Sequence, residues 1–358
     1  MMDMIKGMDV SLIKELEQMG AEYKLNNKGG DLFSILKECG TNLIRLRLWM
    51  NPYTSDGETY GGGMNDIATT IELARRTITN NMKFMLDIHY SDFWADPAKQ
   101  IKPKAWKKLS GDELVRQVYL YTKRVLRVLS DENLVPEYVQ VGNEITNGLL
   151  WPDGRFENTE GMVSLLQAGI KGVREIVPNA RIIIHLDFGT DSKLYKKWFD
   201  AVEEYDLDFD VVGMSYYPHW NGSISKLTDN MNYISGRLNK DVMVVETSIG
   251  YTLDTFGCNG IVFGEEQEQA TGYPATEEGQ QNFMRDLFDA VRNVKNKRGI
   301  GVVYWEPEWL PIPECTWASN VGRMYMKDDV EAGNANANQA LFDKSGNANQ
   351  ALLELASM

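Results

Sequence analysis

The sequence is poor in cysteine, in histidine and in long apolar runs, and each shortage argues against a class of protein. Only three of the 358 residues are cysteine and only three are histidine. Cys39, Cys258 and Cys315 lack the close paired spacing of a zinc site. Nowhere do 18 apolar residues follow one another, so we expect no transmembrane helix and no membrane partner.

Basic residues are also in deficit. The chain has 37 lysine and arginine residues against 51 aspartate and glutamate residues, which gives a formal net charge of -14. A surface of this sign repels phosphate backbones, and no run of lysine and arginine offers a local exception. We therefore expect no nucleic acid among the partners. The first 20 residues carry neither the basic segment nor the apolar core of a signal peptide.

Short apolar runs of strand character alternate with amphipathic stretches of helical period. In one such stretch, Leu114, Val118, Tyr121, Val125 and Leu129 recur at steps of three or four. Repeated strand and helix units predict a parallel sheet, and eight units favour a closed barrel. We therefore predict a single (β/α)8 barrel domain over residues 1–358, with long loops after its strands. The strand runs are "IKGMDVS" near the start and the segments 43–49, 83–90, 138–144, 181–187, 210–217, 242–248 and 301–307.

Polar and aromatic side chains gather where these strands end. In a parallel barrel the carboxyl ends of the strands face the catalytic mouth. Aromatic rings stack on the apolar faces of sugars, while carboxylates and amides bind their hydroxyl groups, so the collection is typical of a sugar-binding surface. It contains no serine and histidine cluster and no glycine-rich phosphate loop. The strand-end residues are Arg45, Arg47, Asp87, His89, Tyr90, Asn143, Glu144, His185, Asp187, Tyr216, Tyr217, His219, Glu246, Trp305, Glu306 and Trp309.

Two glutamates directly follow apolar strand runs, Glu144 after "VQVGN" and Glu246 after "VMVV". A carboxylate at the end of a buried strand is costly unless it is paired or used. Hydrolysis of a glycosidic bond needs one carboxylic acid and a second carboxylate, and strands four and seven lie across the barrel mouth from each other. Glu144 and Glu246 are therefore the candidate catalytic pair. The structural alternative is an ion pair with an arginine such as Arg47.

The histidines and tryptophans near the strand ends have two interpretations each. His89, His185 and His219 lie on three different strand ends without short ligand spacing, so we expect hydrogen bonds to sugar or core rather than a metal site. No cofactor is implied. Trp94, Trp106 and Trp151 lie in loops after the third and fourth strands, where they either stack on sugars or pack into the core.

Several strings taken together resemble the family 53 glycoside hydrolases, the endo-β-1,4-galactanases of clan A. They are "KGMDVS", "IRLRLW", "DIHYSDFWADPAKQ", "GNEIT", "SYYPHW", "VVETS" and "WEPEWLP", and the resemblance runs from about Lys6 to about Leu353. It implies retaining double displacement on β-1,4-galactan, the side chain of pectic type I arabinogalactan. The alternatives are another clan A endo-glycanase, acting on mannan or cellulose, and an inactive carbohydrate-binding barrel.

The resemblance also implies roles for individual residues. Glu144 matches the general acid/base and Glu246 the nucleophile, Asn143 matches the residue that binds the 2-hydroxyl group, and Arg47 matches the arginine that supports the nucleophile. Either Tyr216 or Tyr217 corresponds to the position near the nucleophile, and the sequence leaves open which one faces inward. Trp305 corresponds to the platform under the cleaved sugar. Asp87, His89, Trp94, Asp187 and His219 complete the expected substrate-binding set.

Cys258 and Cys315 fall in the loops after strands seven and eight. In the resembling family some members join these loops by a disulfide and others hold them with calcium. The segment "YTLDTFGCNGIVFGEEQ" lacks the alternating oxygen ligands of a calcium loop, so the disulfide is the favoured expectation and structural calcium is not. A disulfide and a polymeric substrate predict a secreted or extracytoplasmic protein in its mature form. We expect a monomer.

Overall fold

The computed structural model describes residues 4–358, and eight parallel strands in it close into a barrel. The predicted (β/α)8 fold is confirmed. Each strand pairs with its neighbours in sequence, and β1 closes the ring by pairing with both β2 and β8. The strands are β1 (Ile5–Asp9), β2 (Leu43–Leu48), β3 (Lys83–Ile88), β4 (Tyr138–Val141), β5 (Arg181–Leu186), β6 (Val211–Ser215), β7 (Asp241–Glu246) and β8 (Gly299–Trp305).

Helices surround the barrel and lie in its loops. The stretch with recurring apolar residues at 114, 118, 121, 125 and 129 forms the longest of them, and its apolar side packs on the strands. The helices are α1 (Ile13–Gln18), α2 (Leu32–Glu38), α3 (Ile67–Thr79), α4 (Gly111–Asp131), α5 (Thr159–Ile176), α6 (Ser192–Val202), α7 (Pro218–Asn221), α8 (Ile224–Leu238), α9 (Glu265–Thr271), α10 (Glu277–Arg292), α11 (Asn320–Met326) and α12 (Gln350–Leu353). Among residues 4–358, no helix combines the length and apolar character needed to cross a bilayer.

The barrel interior is filled by a layer to which every strand contributes. Because side chains alternate along a strand, the residues two positions further on also face inward, one level nearer the mouth. On β2 this sequence is Leu43, Arg45 and Arg47. The layer consists of Ile5, Leu43, Met85, Tyr138, Ile183, Val211, Met243, Val245 and Val303.

Strand β7 breaks this alternation at its end. Met243 and Val245 both belong to the interior layer, so a regular strand would direct Glu246 outward towards the helices. The pairing with β6 shifts at this point: Met214 pairs with Val244, whereas Ser215 pairs with Glu246. A bulge of this kind re-aims the following side chain. Glu246 therefore faces the barrel mouth.

Candidate active site

A cleft of about 1100 Å³ opens at the carboxyl ends of the strands. Its walls bring together residues from the ends of seven strands, β2 to β8, and from the loop after β8, as the sequence predicted for a sugar site. Asp87 and Tyr216 are the exceptions, because both are buried and do not line the cleft. The predicted residues that line the cleft are Arg47, His89, Trp94, Asn143, Glu144, Asp187, Tyr217, His219, Glu246 and Trp305.

Glu144 lies in a tight turn directly after β4. Gly142 has φ +83°, and a Cβ atom there would meet Ile145 at 2.7 Å, so the turn requires glycine. Glu144 itself has φ 46° and ψ 53°, which is uncommon for a residue other than glycine. Its Oε1 accepts a hydrogen bond of 2.6 Å from Ser215 Oγ at the end of β6. The turn thus places the carboxyl group against the neighbouring strand ends.

His185 on β5 continues this hydrogen-bond chain. Its Nε2 lies 2.8 Å from Ser215 Oγ. Its Nδ1 faces two donors, the Gln140 amide at 2.9 Å and the main-chain N–H of Glu144 at 3.3 Å, and one acceptor, Asn143 Oδ1, at 2.9 Å. Two donors favour the tautomer with the proton on Nε2. Burial lowers the pKa of His185 well below its usual range, and Arg45 lowers it further. Neutral His185 therefore donates to Ser215, which donates to Glu144.

Glu246 is held on both carboxylate oxygens. Arg45 Nη2 donates to Oε1 at 2.8 Å and the Tyr217 hydroxyl donates to Oε2 at 3.1 Å. The same guanidinium bonds Asp9 at 2.7 Å and Asp87 at 2.8 Å. A hydrogen-bonded guanidinium favours the ionised form of a carboxyl group. Glu246 is therefore prepared to act as a carboxylate.

The sequence prediction that Arg47 supports Glu246 is wrong, because Arg45 does so. Both residues face the interior, two positions apart on β2, and the long side chain of the deeper one reaches up to the level of Glu246. Arg47 instead pairs with Glu306, donates to Gly62 O at 2.6 Å and lies 4.4 Å from the Trp94 ring. Arg47 thus stabilises the loops and an aromatic wall.

Two other residues that the sequence predicted to bind substrate, Tyr216 and Asp87, are buried and make hydrogen bonds within the protein instead. Tyr216 is buried, and its hydroxyl donates to Gly222 O at 2.7 Å, so Tyr217 is the tyrosine that faces the cleft. The reason is strand alternation, since Tyr217 continues the inward series of Val211 and Ser215. Asp87 is occupied below the cleft, where it accepts hydrogen bonds from Arg45 and from His89 Nε2 at 2.9 Å.

The two candidate catalytic carboxyl groups have different electrostatic surroundings. Burial raises the pKa of Glu144 well above its usual range, and the charges of Glu246 and Asp187 raise it further. Burial also raises the pKa of Glu246, but the Arg45 guanidinium opposes that rise. Of the two, Glu144 therefore keeps its proton to the higher pH.

Two further cleft residues present polar atoms without partners. In the described part of the chain, neither ring nitrogen of His219 has a hydrogen-bond partner, and no donor faces Asp187 Oδ2, although these atoms are buried. Burial raises the pKa of Asp187 to about 6 and lowers the pKa of His219 to about 4. Unpaired buried polar groups are costly, so both are suited to hydrogen bonds with a ligand.

Aromatic rings form the walls of the cleft. Trp94 and Trp305 lie 6.2 Å apart between ring centroids and share the wall near Arg47. Trp220 is 57% exposed on α7 at the opposite rim. The other two candidate tryptophans lie elsewhere: Trp106 is buried in the core, and Trp151 packs on Arg155 at 3.9 Å outside the cleft lining.

The predicted disulfide between Cys258 and Cys315 is wrong for this structure, in which all three cysteines are free. Cys315 is buried in an apolar cluster with Leu12, Leu16 and Trp309, whereas Cys258 lies in a partly exposed turn. The two loops are neighbours, as expected, since both thiols border one surface cavity. Within residues 4–358, no group of three or more His, Cys, Asp or Glu side chains is arranged to hold a metal ion.

Sequence reasoning did not identify the contacts through which Arg45, Ser215 and His185 hold the two glutamates. Arg45 and His185 were among the strand-end residues, but their partners depend on side-chain reach. Ser215 carried a usable signal, because it lies two positions before Tyr217 on the inward face of β6.

The barrel, its carboxyl pair and its aromatic cleft define the class of protein, a glycoside hydrolase. Comparison with known proteins makes the assignment specific. The model of glycosyl hydrolase family 53 matches residues 5–355, and the chain belongs to this family.

Relatives of known name and structure agree with this assignment. The endo-beta-1,4-galactanase of Bacillus subtilis (strain 168) is 38% identical over 363 residues, which cover 96% of this chain and 83% of the relative. The Ignisphaera aggregans GH53 catalytic domain superposes with a TM-score of 0.92 at 37% identity, covering 99% of this chain and 95% of that one. A structure from a study of two fungal beta-1,4-galactanases gives 0.81 at 29% identity and covers 99% of both chains.

Proposed function

We propose that this chain is an endo-acting β-1,4-galactanase that hydrolyses the galactan side chains of pectic type I arabinogalactan with retention of configuration. One observation carries the reaction type: Glu144 and Glu246 face the same cleft, and Arg45 bonds only the second of them. The name of the Bacillus subtilis relative, which covers 96% of this chain, supports galactan as the substrate.

In the proposed reaction, ionised Glu246 attacks the anomeric carbon while Glu144 gives its proton to the leaving glycosidic oxygen. The resulting glycosyl ester on Glu246 is then hydrolysed by a water molecule whose proton Glu144 accepts. Arg45 and Tyr217 orient the nucleophile through its two oxygens. Asn143 donates one amide hydrogen to Ala95 O at 2.8 Å, and its other amide hydrogen serves the sugar at the cleavage site.

The substrate is tested by measuring reducing sugar released from galactan, mannan and cellulose in parallel. We expect rapid release of oligosaccharides from galactan only. Glu246→Ala should lower turnover by several powers of ten, since no glycosyl ester forms. Glu144→Ala should impair galactan cleavage far more than cleavage of an aryl glycoside with an acidic leaving group. Faster release from mannan or cellulose would overturn the substrate assignment.

Retention is tested separately by proton NMR of the anomeric signals early in galactan hydrolysis. The β anomer should appear first and convert slowly to the α anomer. An initial α signal would contradict double displacement at Glu246.

We also propose that the enzyme acts outside the cytoplasm as a monomer without a cofactor, because its substrate is a polymer of the plant cell wall. Activity should survive dialysis against EDTA, and the chain should elute at its own mass of 40.6 kDa. Loss of activity that added calcium restores would overturn the cofactor proposal.

A further inference from the structure

The loop after β3 forms a short hairpin that folds back over the catalytic turn, the turn after β4 that carries Asn143 and Glu144. Asp96 and Lys99 pair in it through main-chain hydrogen bonds of 2.9 and 3.0 Å. Gln100 follows directly and is only 2% exposed. Its Nε2 donates to the main-chain oxygen of Asn143 at 2.8 Å and lies 3.5 Å from that of Glu144. The Gln100 amide therefore contacts the backbone of both residues of the catalytic motif.

The contact is reciprocal. The Asn143 side chain donates to Ala95 O in the same loop at 2.8 Å. Gln100 is itself fixed, because its amide also donates to Asp96 O at 3.1 Å and its main-chain oxygen accepts from Trp151 N at 2.7 Å. A group held in this way needs no reorganisation when substrate binds. The hairpin and the catalytic turn thus form one hydrogen-bonded unit.

The turn needs such support because its backbone is unfavourable. Gly142 and Glu144 both have positive φ, and for a glutamate this conformation persists only where the surroundings enforce it. Ser215 holds the carboxyl group of Glu144, but it does not touch the main-chain oxygens. Among the described residues, Gln100 supplies the side-chain donor to those oxygens. Without it, two carbonyl groups would have to find other donors or shift.

We propose that Gln100 is a positioning residue for general acid/base catalysis, which holds the Asn143–Glu144 turn so that the Glu144 carboxyl group reaches the glycosidic oxygen. Gln100 does not line the cleft and therefore acts through Glu144 rather than on the sugar. This inference rests on the proposed galactanase function, because it assigns a role within the same reaction.

The test uses Gln100→Met, which keeps the length of the side chain and removes both N–H donors. Two substrates are compared: galactan, whose leaving group needs a proton, and 2,4-dinitrophenyl β-galactobioside, whose leaving group does not. A displacement of the acid of about 1 Å costs up to about a hundredfold in rate. We expect kcat/KM on galactan to fall by about ten- to a hundredfold and kcat/KM on the aryl substrate to stay within about threefold.

Gln280→Met is the matched control. Gln280 is also a buried glutamine that donates to main-chain oxygens, those of Ile249 and Ala340 at 3.0 and 3.1 Å, but it contacts neither glutamate. This variant should lower the thermal midpoint and leave the ratio of the two kcat/KM values unchanged. A general loss of stability is thereby separated from misplacement of the acid.

Equal loss on both substrates, or no loss on galactan, for Gln100→Met would overturn the inference. If Gln100→Met does not fold, Gln100→Leu, which has a similar volume and no hydrogen-bond donor, is judged by the same ratio. The wild-type chain separates the two proposals: if it cleaves neither substrate, the proposed function itself fails. If it cleaves both and the ratio does not move in the variant, only the role of Gln100 fails.

Discussion

The hydroxyl of Ser215 lies 2.6 Å from Oε1 of Glu144 and is directed at it by His185 on the other side. A donor of this kind stabilises the ionised carboxyl group and lowers the pKa of Glu144, while burial and the Glu246 charge raise it. The balance between these effects determines the pH at which the acid loses its proton.

Ser215→Ala should therefore move the alkaline limb of kcat/KM on galactan to higher pH. Removal of the donor raises the pKa of Glu144, and the free enzyme then keeps its acid protonated to a higher pH. Ser248→Ala is the control, since Ser248 also lies in the cleft but bonds Gln339 rather than a catalytic carboxylate. An unchanged limb in Ser215→Ala would contradict the assigned hydrogen bond.

The two arginines of β2 should respond differently to charge-conserving replacement. Arg45→Lys cannot bridge Asp9, Asp87 and Glu246 with one ammonium group, so we expect kcat/KM to fall by about a hundredfold. The acid limb should move to higher pH, because weaker pairing raises the pKa of Glu246. Arg47→Lys changes the contact with Glu306 and should leave that limb in place. The acid limb of each variant is measured from the pH dependence of kcat/KM. A shift in Arg47→Lys but not in Arg45→Lys would show that Arg47, rather than Arg45, supports Glu246.

Glu306 and Glu308 form a buried carboxyl pair behind Arg47, and Glu308 is 0% exposed. Burial raises the pKa of Glu306 to about 7 and that of Glu308 well above its usual range, with the charge of Glu306 adding to the rise for Glu308. Because the folded pKa values lie above the unfolded ones, their contribution to stability is complete below about pH 4 and declines as pH rises through 7 and beyond.

Glu308→Gln has nearly the same shape as the glutamate and carries no charge at any pH. Its thermal midpoint relative to that of the wild type should rise by about 1 to 3 °C between pH 5 and pH 9. Differential scanning calorimetry at the two pH values measures this difference. A midpoint lowered equally at both pH values would show that Glu308 is not the proton carrier of the pair.

The thiols provide a test that needs no variant. Titration of the denatured, unreduced protein should find three free thiols per chain, the same number as after reduction. One thiol before reduction and three after it would establish a disulfide that the structure lacks.

The sequence was sufficient for features that depend on strand alternation and helical period. The barrel, the two glutamates and several other residues of the cleft lining follow from residues at strand ends, because a parallel barrel brings those ends together. Arg45 and Arg47 could not be separated in this way, since both face inward and the distinction depends on how far each side chain reaches. The free thiols follow from the packing of Cys315 against Trp309, which spacing along the chain does not record.

Because of the bulge at Val245, the side of the sheet that the Glu246 side chain faces depends on the number of residues that precede it in β7. Regular pairing between β6 and β7 with Val245 retained would place Val245 opposite Ser215 and turn the glutamate towards the surrounding helices, whereas deletion of Val245 would keep the glutamate in the inward position, directly after Val244. In a chain without this extra residue, a glutamate one place earlier would be needed to reach the same point. An alignment with a related barrel that lacks the extra residue would therefore need a gap here. Without that gap, Glu246 would be paired with a residue whose side chain faces the surrounding helices.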